Sequence, residues 1–454
     1  MLVRKTFHSQ TNRRMLWFGA RLMRYVTGTS FTRAALVGDG VLISAAAGAL
    51  MGSRAYTSLS ASEGDLRQAE EQVLRANGAL KFVRLRDTEI GEDLKIHSAH
   101  IPAERSVGSA PLVIMPGYAA GVGWYSRNIP DLHAKLANHH KNPRDVHVVD
   151  WLGTGLSSRP KFRAESVEET ENFFVASLEK WRQKNHIDQM VLCGHSLGGY
   201  LAFAYAEQYP HRVKKLVLSS PAGVPHEPLG YKEKIQARWS SFTGRLMLNT
   251  VIWLWEKGVT PASFIRYAGP WGEGLVDKYI SRRFRDSHAD DLKHLSKYAY
   301  LNLALYGSGE YALNRILKPF AWAHKPLCDR VQGLFEIGVQ DINFIYGTTD
   351  WMDHTHALEV KKAFPSYDIP VWTVPNAGHQ LHVQNPSGFV ETVVTALDHK
   401  QGDASGITIS HTEELRPKWM QKIPSDAPIG RAERERATMR ARKHATTAVE
   451  TAHA

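Results

Sequence analysis

The sequence predicts an α/β fold: a mostly parallel sheet with helices on both faces, interrupted late in the chain by a helical insertion. Three observations carry that prediction. Short apolar runs at 111–115, Val146–Val149, 191–193 and Val213–Ser219 stop at proline, glycine or polar residues, as parallel strands buried on both faces do. Helix-period segments alternate with these runs, most clearly at Val167–Lys184 and directly after residue 196. The alternation lapses from about 221 to 339 and returns with apolar runs at 342–346 and Val371–Val374.

Taken in order, the first 38 residues hold Arg4, Lys5, Arg13, Arg14, Arg21, Arg24 and Arg33 and no Asp or Glu. That is the composition of a mitochondrial transit peptide, which with an N-terminal segment occupies 1–54. The apolar stretch 41–51, with Asp39 just before it, is too short to span a bilayer. Residues 55–78 read as a polar, helix-prone linker at the start of a first core segment, 55–220. Strand-like runs follow at 80–85 and 94–99. The insertion, 221–339, reads as a helical lid over the carboxyl ends of the strands, where open α/β sheets bind ligands. A second core segment, 340–398, closes with a helix near 386–397, and 399–454 reads as a disordered basic tail.

Chemistry concentrates at Gly194-His195-Ser196-Leu197-Gly198, which stands between a short strand and a helix. In that context a G-x-S-x-G pattern is a nucleophile elbow: the serine occupies a strained turn, and its neighbours must be small. The Leu197 N–H, opening the helix, can face an oxyanion, and the loop after 111–115 offers a second donor at Tyr118. A serine hydroxyl needs a base, and His379, after a strand and beside Gly378, stands where an exposed loop base should. The acid that would orient it lies after the 342–346 strand: Asp350, nearer the strand's end where position is better fixed, with Asp353 as the alternative, which gives the chain order Ser, Asp, His of an α/β-hydrolase. His195, His354, His356 and His382 are candidates for supporting roles around the site. Such chemistry requires no metal and no organic cofactor.

The formal charge of +11 favours anionic partners, while the apolar fraction of 43% is ordinary for a globular chain. Nothing resembles a nucleic-acid-binding module, so a phospholipid surface is the better match. Two cysteines, Cys193 and Cys328, cannot build a disulfide framework. Within the lid, Trp253, Trp255 and Trp271 interleave with Arg266, Arg282 and Arg283, a mixture suited to an anionic membrane interface. Oligomeric state is not legible.

The stretches LVIMPGYAAG, DWLGTGLSSRP, CGHSLGGYLAFAYA, WLWEKGVTP with AGPWG, YGTTDWMD and NAGHQLHVQNP together resemble one lipid-metabolising α/β-hydrolase subfamily, over roughly 75–398. That subfamily holds N-acyl-phospholipid lysophospholipases, lysophosphatidate acyltransferases, a lipase co-activator and a fungal mitochondrial cardiolipin deacylase. The resemblance implies a phospholipase A-type hydrolase, with cardiolipin or a related phospholipid as substrate, peripheral on a mitochondrial membrane. Alternatives are a lysophosphatidate acyltransferase, a non-catalytic lipid-binding co-activator or an aminopeptidase, at a cytoplasmic or lipid-droplet address. Unlike the co-activator, this chain keeps the elbow serine. Where the acyltransferases carry an acid five residues after the histidine, it has Gln384, and where relatives often have a histidine before the oxyanion glycine it has Pro116.

Overall fold

The computed structural model describes residues 61–400 apart from 106–107, 141, 240 and 285–288. The predicted transit peptide and nearly all of the predicted tail lie outside these residues. His399, assigned to that tail, belongs to the folded core: it is buried, its ring meets Asp368 at 2.7 Å, and its carbonyl accepts from Lys215. The helix Tyr231–Arg238 falls in a second unit, and the site described below lies wholly in the first.

Eight strands form one sheet: β1 (Arg84–Gly91), β2 (Leu94–Ile101), β3 (Leu112–Met115), β4 (Val146–Val149), β5 (Met190–His195), β6 (Val213–Ser219), β7 (Ile342–Gly347) and β8 (Val371–Val374). Their order is β1-β2-β4-β3-β5-β6-β7-β8, antiparallel at β1–β2 and β2–β4 and parallel from β4 to β8. β3 through β7 are buried throughout, apart from Lys214 on β6, which explains their mostly apolar composition. Alternate residues feed two cores. Val113, Met115, Leu192, Leu216 and Phe344 join one, and Leu112, Ile114, Val191, Val217 and Ile345 join the other.

The sequence boundaries hold for most central elements and fail at the N-terminal edge. Residues 80–82 form a 3₁₀ turn, and β1 starts only at Arg84. The expected linker contains a packed helix, Glu63–Ala76, started by a Ser62–Asp65 capping box. Its Leu66, Ala69, Val73 and Leu74 are buried in the second core, which also takes in Val276, Ile280, Leu295 and Tyr298 of the insertion. Polar residues on the outer face hid that stripe. Among the described residues no helix is long and apolar enough to cross a membrane.

The insertion packs on the loops that follow β3 and β4. Ala262 N–H donates to Tyr118 Oη at 3.2 Å, Asn302 accepts from Gly155 N–H and donates to the Ala119 carbonyl, and Arg159 donates to Asn302. Two residues assigned to a docking surface are half-buried and engaged with partners inside the fold. Arg266 pairs with Glu310 and donates to the Leu303 and Leu305 carbonyls, and Trp255 donates its indole N–H to Leu317 O at 3.1 Å. Both are held by partners 37 to 62 positions away, beyond the reach of local pattern.

Candidate active site

β5 delivers the chain to Ser196, and the parallel partners β3, β6, β7 and β8 deliver four more loops to the same end of the sheet. The strand order reverses between β3 and β5, so the loops after these two strands lie side by side at a topological switch point. Ser196 has φ 55° and ψ −121°, a strained conformation for a residue with a side chain, held by Ser196 N–H to Ser219 O at 3.0 Å and Ala222 N–H to Ser196 O at 3.0 Å. A Cβ on Gly194 would lie 2.3 Å from Gly198 O, and one on Gly198 would lie 2.2 Å from Pro116 O, so only glycine fits either side of the turn. Strain and close packing together fix the hydroxyl.

His379 Nε2 is 2.9 Å from Ser196 Oγ. Its Nδ1 faces Asp350 Oδ1 at 3.3 Å, an ion-pair distance whose alignment falls short of a hydrogen bond. Asp350 is buried, accepts the Ser220 hydroxyl on Oδ2 and takes the Met352 N–H on Oδ1 at 2.9 Å. Burial alone would raise this carboxyl, but His379, Ser220 and the Met352 N–H reverse that and hold it below the usual carboxylate range. Asp353, the alternative acid, instead accepts the Thr355 N–H at 2.9 Å at the start of the helix Thr355–Ala363. The structure brings Asp350, the acid expected from its place near the strand's end, to His379, and turns the alternative, Asp353, to the helix start.

Gly117 abuts the elbow, since a Cβ there would lie 3.0 Å from Ser196 Cβ, and this sets Tyr118 beside the serine. Neither the Tyr118 nor the Leu197 N–H has an acceptor among the described residues. Two unspent donors flank the hydroxyl, as an oxyanion hole requires. The elbow's His195 lies behind His379: its Nε2 meets the His379 carbonyl at 2.8 Å, and its ring packs edge-on against His382, which stacks on Tyr125. Burial drives His195 down to about 3 and His382 well below its normal value, so both are neutral packing for the base. His354 and His356 lie at the start of the helix Thr355–Ala363, apart from the Ser196–His379 pair.

Three further residues belong here. Ser220, which anchors Asp350, sits at φ 45° directly after β6. Trp351 lays its ring 5.2 Å from that of His379 and is 41% exposed at the mouth. Gln384 accepts the Gly378 N–H at 3.0 Å and so braces the loop that carries the histidine. The position of Ser220 after a strand and the register of Gln384 from His379 are visible in the sequence, but their contacts with Asp350 and Gly378 are not. Two clusters elsewhere bring metal-ligating atoms together, Glu70–His97–Asp150 and His226–Cys328–Asp329. Neither includes Ser196, His379 or Asp350.

A serine at a strand–turn–helix elbow, with a histidine from the last strand's loop and an acid from the one before, defines an α/β-hydrolase. A family model of the alpha/beta hydrolase fold matches residues 110–251. The chain is 34% identical over 295 residues to the (lyso)-N-acylphosphatidylethanolamine lipase of Mus musculus, covering 63% of this chain and 80% of the relative. It is 37% identical over 301 residues to a 1-acylglycerol-3-phosphate O-acyltransferase of Arabidopsis thaliana, covering 64% of this chain and 66% of that one. The crystal structure of a bacterial membrane phospholipase A superposes with a TM-score of 0.50 at 17% identity, covering 81% of this chain and 98% of that one, a likeness of fold alone. The chain belongs to the lipid-acting α/β-hydrolase subfamily that contains these lipases and acyltransferases.

Proposed function

We propose that this protein is a serine acyl-ester hydrolase of phospholipids. The observation that carries the reading is the 2.9 Å contact between Ser196 Oγ and His379 Nε2, with Asp350 behind the imidazole and two free N–H groups beside the hydroxyl. Ser196 Oγ attacks the ester carbonyl while His379 Nε2 takes its proton, and the N–H groups of Tyr118 and Leu197 receive the oxyanion. Collapse breaks the ester bond, His379 returns the proton to the departing alkoxide, and an acyl-enzyme remains. Water, deprotonated by His379, then releases the fatty acid and restores the serine. Asp350 keeps the imidazole oriented and stabilises its charged form.

The finer reading names cardiolipin or a related phospholipid as substrate, on a mitochondrial membrane. Its support is the acid-free basic N-terminus and the apolar surface of the insertion. On the helix Phe242–Glu256, Phe242, Leu246 and Trp253 are 78%, 49% and 54% exposed at helical spacing, with Arg245 beside them and Trp271 and Arg282 exposed further along. That stripe would enter the interface and the cations would remain at headgroup level. A second reading, acyl transfer to lysophosphatidate, is favoured by the similarity to the plant acyltransferase.

The test gives purified protein three substrates in parallel: cardiolipin and other phospholipid vesicles, lysophosphatidate with acyl-CoA, and peptide amides. The reading expects fatty-acid release from phospholipid, lost in Ser196→Ala. Phosphatidate formation without fatty-acid release would replace it with the second reading. No labelling of the wild type by a fluorophosphonate, with no turnover of any substrate, would leave a lipid-binding protein with a dormant site.

A further inference from the structure

The geometry points to Arg283 as the residue that receives the substrate's phosphate, at a subsite built beside the proposed base. This rests on the ester-hydrolase reading for its location and extends it to the group that selects the lipid. Arg283 ends the helix Gly272–Arg283, and its side chain turns in toward the loop that carries His379. A Cβ on Gly378 would lie 2.9 Å from Arg283 Nη2, so the guanidinium occupies space next to the residue preceding His379. The guanidinium is half-buried, and among the described residues it has no carboxylate at ion-pair distance and no recorded hydrogen bond. Arg266, on the preceding helix of the same insertion, shows the usual alternative: it is spent on Glu310.

A partly desolvated guanidinium without a counter-ion is costly unless a ligand completes it. Its planar fork matches phosphate oxygens, and phosphate is the anion that glycerophospholipids carry a few bonds from their ester carbonyls. Trp351, whose ring lies 5.2 Å from that of His379, and Tyr279, one helical turn before Arg283, are both partly exposed aromatic rings in this region. The ligand class is therefore a phosphate ester on the acylated glycerol itself.

The experiment compares the full chain with Arg283→Gln and Arg283→Lys, using two monomeric lipids with the same acyl chain, lysophosphatidate and monoacylglycerol. Binding is read first with their non-hydrolysable ether analogues, and kcat/KM is then measured on the esters. The expected result is a drop of about tenfold to a hundredfold in the preference for the phosphate-bearing lipid in Arg283→Gln, the range for a charge-assisted hydrogen-bonded pair. Lysine should recover part of it, since it keeps the charge but loses the fork. Inorganic phosphate should compete with the ether lysophosphatidate only weakly; competition as strong as the lipid's own binding would reassign the site to free phosphate. An unchanged preference in Arg283→Gln, or equal losses on both lipids, would overturn the proposal in favour of a structural role. If the ether analogues show the expected preference while neither ester is cleaved, the hydrolase reading fails and the phosphate subsite stands.

Discussion

Among the buried histidines that meet carboxylates, His97 and His379 contrast most, and their different settings show what makes one a base. His97 on β2 is enclosed from both sides, Nδ1 to Asp87 Oδ1 at 2.6 Å and Nε2 to Glu70 Oε1 at 2.7 Å, and Glu70 also receives the Tyr298 hydroxyl at 3.1 Å. Burial by itself would push His97 down, but Glu70 and Asp87 overcome it and hold the imidazole up at about 10. It is charged at neutral pH and cannot accept another proton. His379 has one carboxylate, on Nδ1, while Nε2 faces a hydroxyl. An acid on both sides makes a staple; an acid on one side and a serine on the other makes a candidate general base. The staple joins the helix Glu63–Ala76, the sheet edge and the insertion helix Ala289–Ala304 through Tyr298.

The comparison breaks most severely at the hydroxyl. Ser196→Ala should lower ester turnover by up to about 10⁶-fold, as serine removal does in subtilisin, with the thermal unfolding transition preserved. Full activity in that variant would remove Ser196 from the reaction. One step smaller is the acid: Asp350→Asn should cost about 10⁴-fold in kcat, while Asp353→Asn, which keeps an oxygen to accept the Thr355 N–H, should retain most of it. Comparable losses in the two variants would undo the distinction drawn between them.

On the staple side the effect should appear in stability rather than chemistry. His97→Leu leaves Glu70 buried without its partner and should destabilise the fold by about 3–5 kcal/mol, measured by denaturant titration. The surviving folded fraction should hydrolyse ester at close to the wild-type rate per labelled serine. A loss confined to activity would mean the cluster serves the site directly.

The smallest effect is a pH dependence that sharpens the same contrast. Because the folded-state value of His97 lies above its unfolded one, its contribution is complete below about pH 6.5 and fades as pH rises toward 10. Thermal melts between pH 6 and 10 should show stability declining across that window in the wild type, with a shallower decline in His97→Leu. Parallel curves for the two proteins would show that His97 is not the group responsible.

Much of this was legible without coordinates. The apolar runs at β3 to β8 announced themselves because strands buried on both faces have no polar side to disguise them. Ser196 and His379 could be found because an elbow and a loop base are local features, set by glycines and by a neighbouring strand end. The helix Glu63–Ala76 was visible as helix-prone but not as core, since Glu70 counts as surface until His97 and Tyr298 are seen around it.

The sequence by itself determined what short-range sterics and periodicity can encode: the α/β class, the strained serine, the spare N–H at the helix start and the histidine after the last strand. Tertiary structure alone decided which charges meet. Asp350 rather than Asp353 faces the imidazole because Ser220, 130 positions earlier, anchors it there. Arg266 is neutralised by Glu310, 44 positions on, while Arg283 reaches the loop of His379 and meets no carboxylate among the described residues. Electrostatic interaction depends on distance in space and on exclusion of water, and neither can be read from separation along the chain.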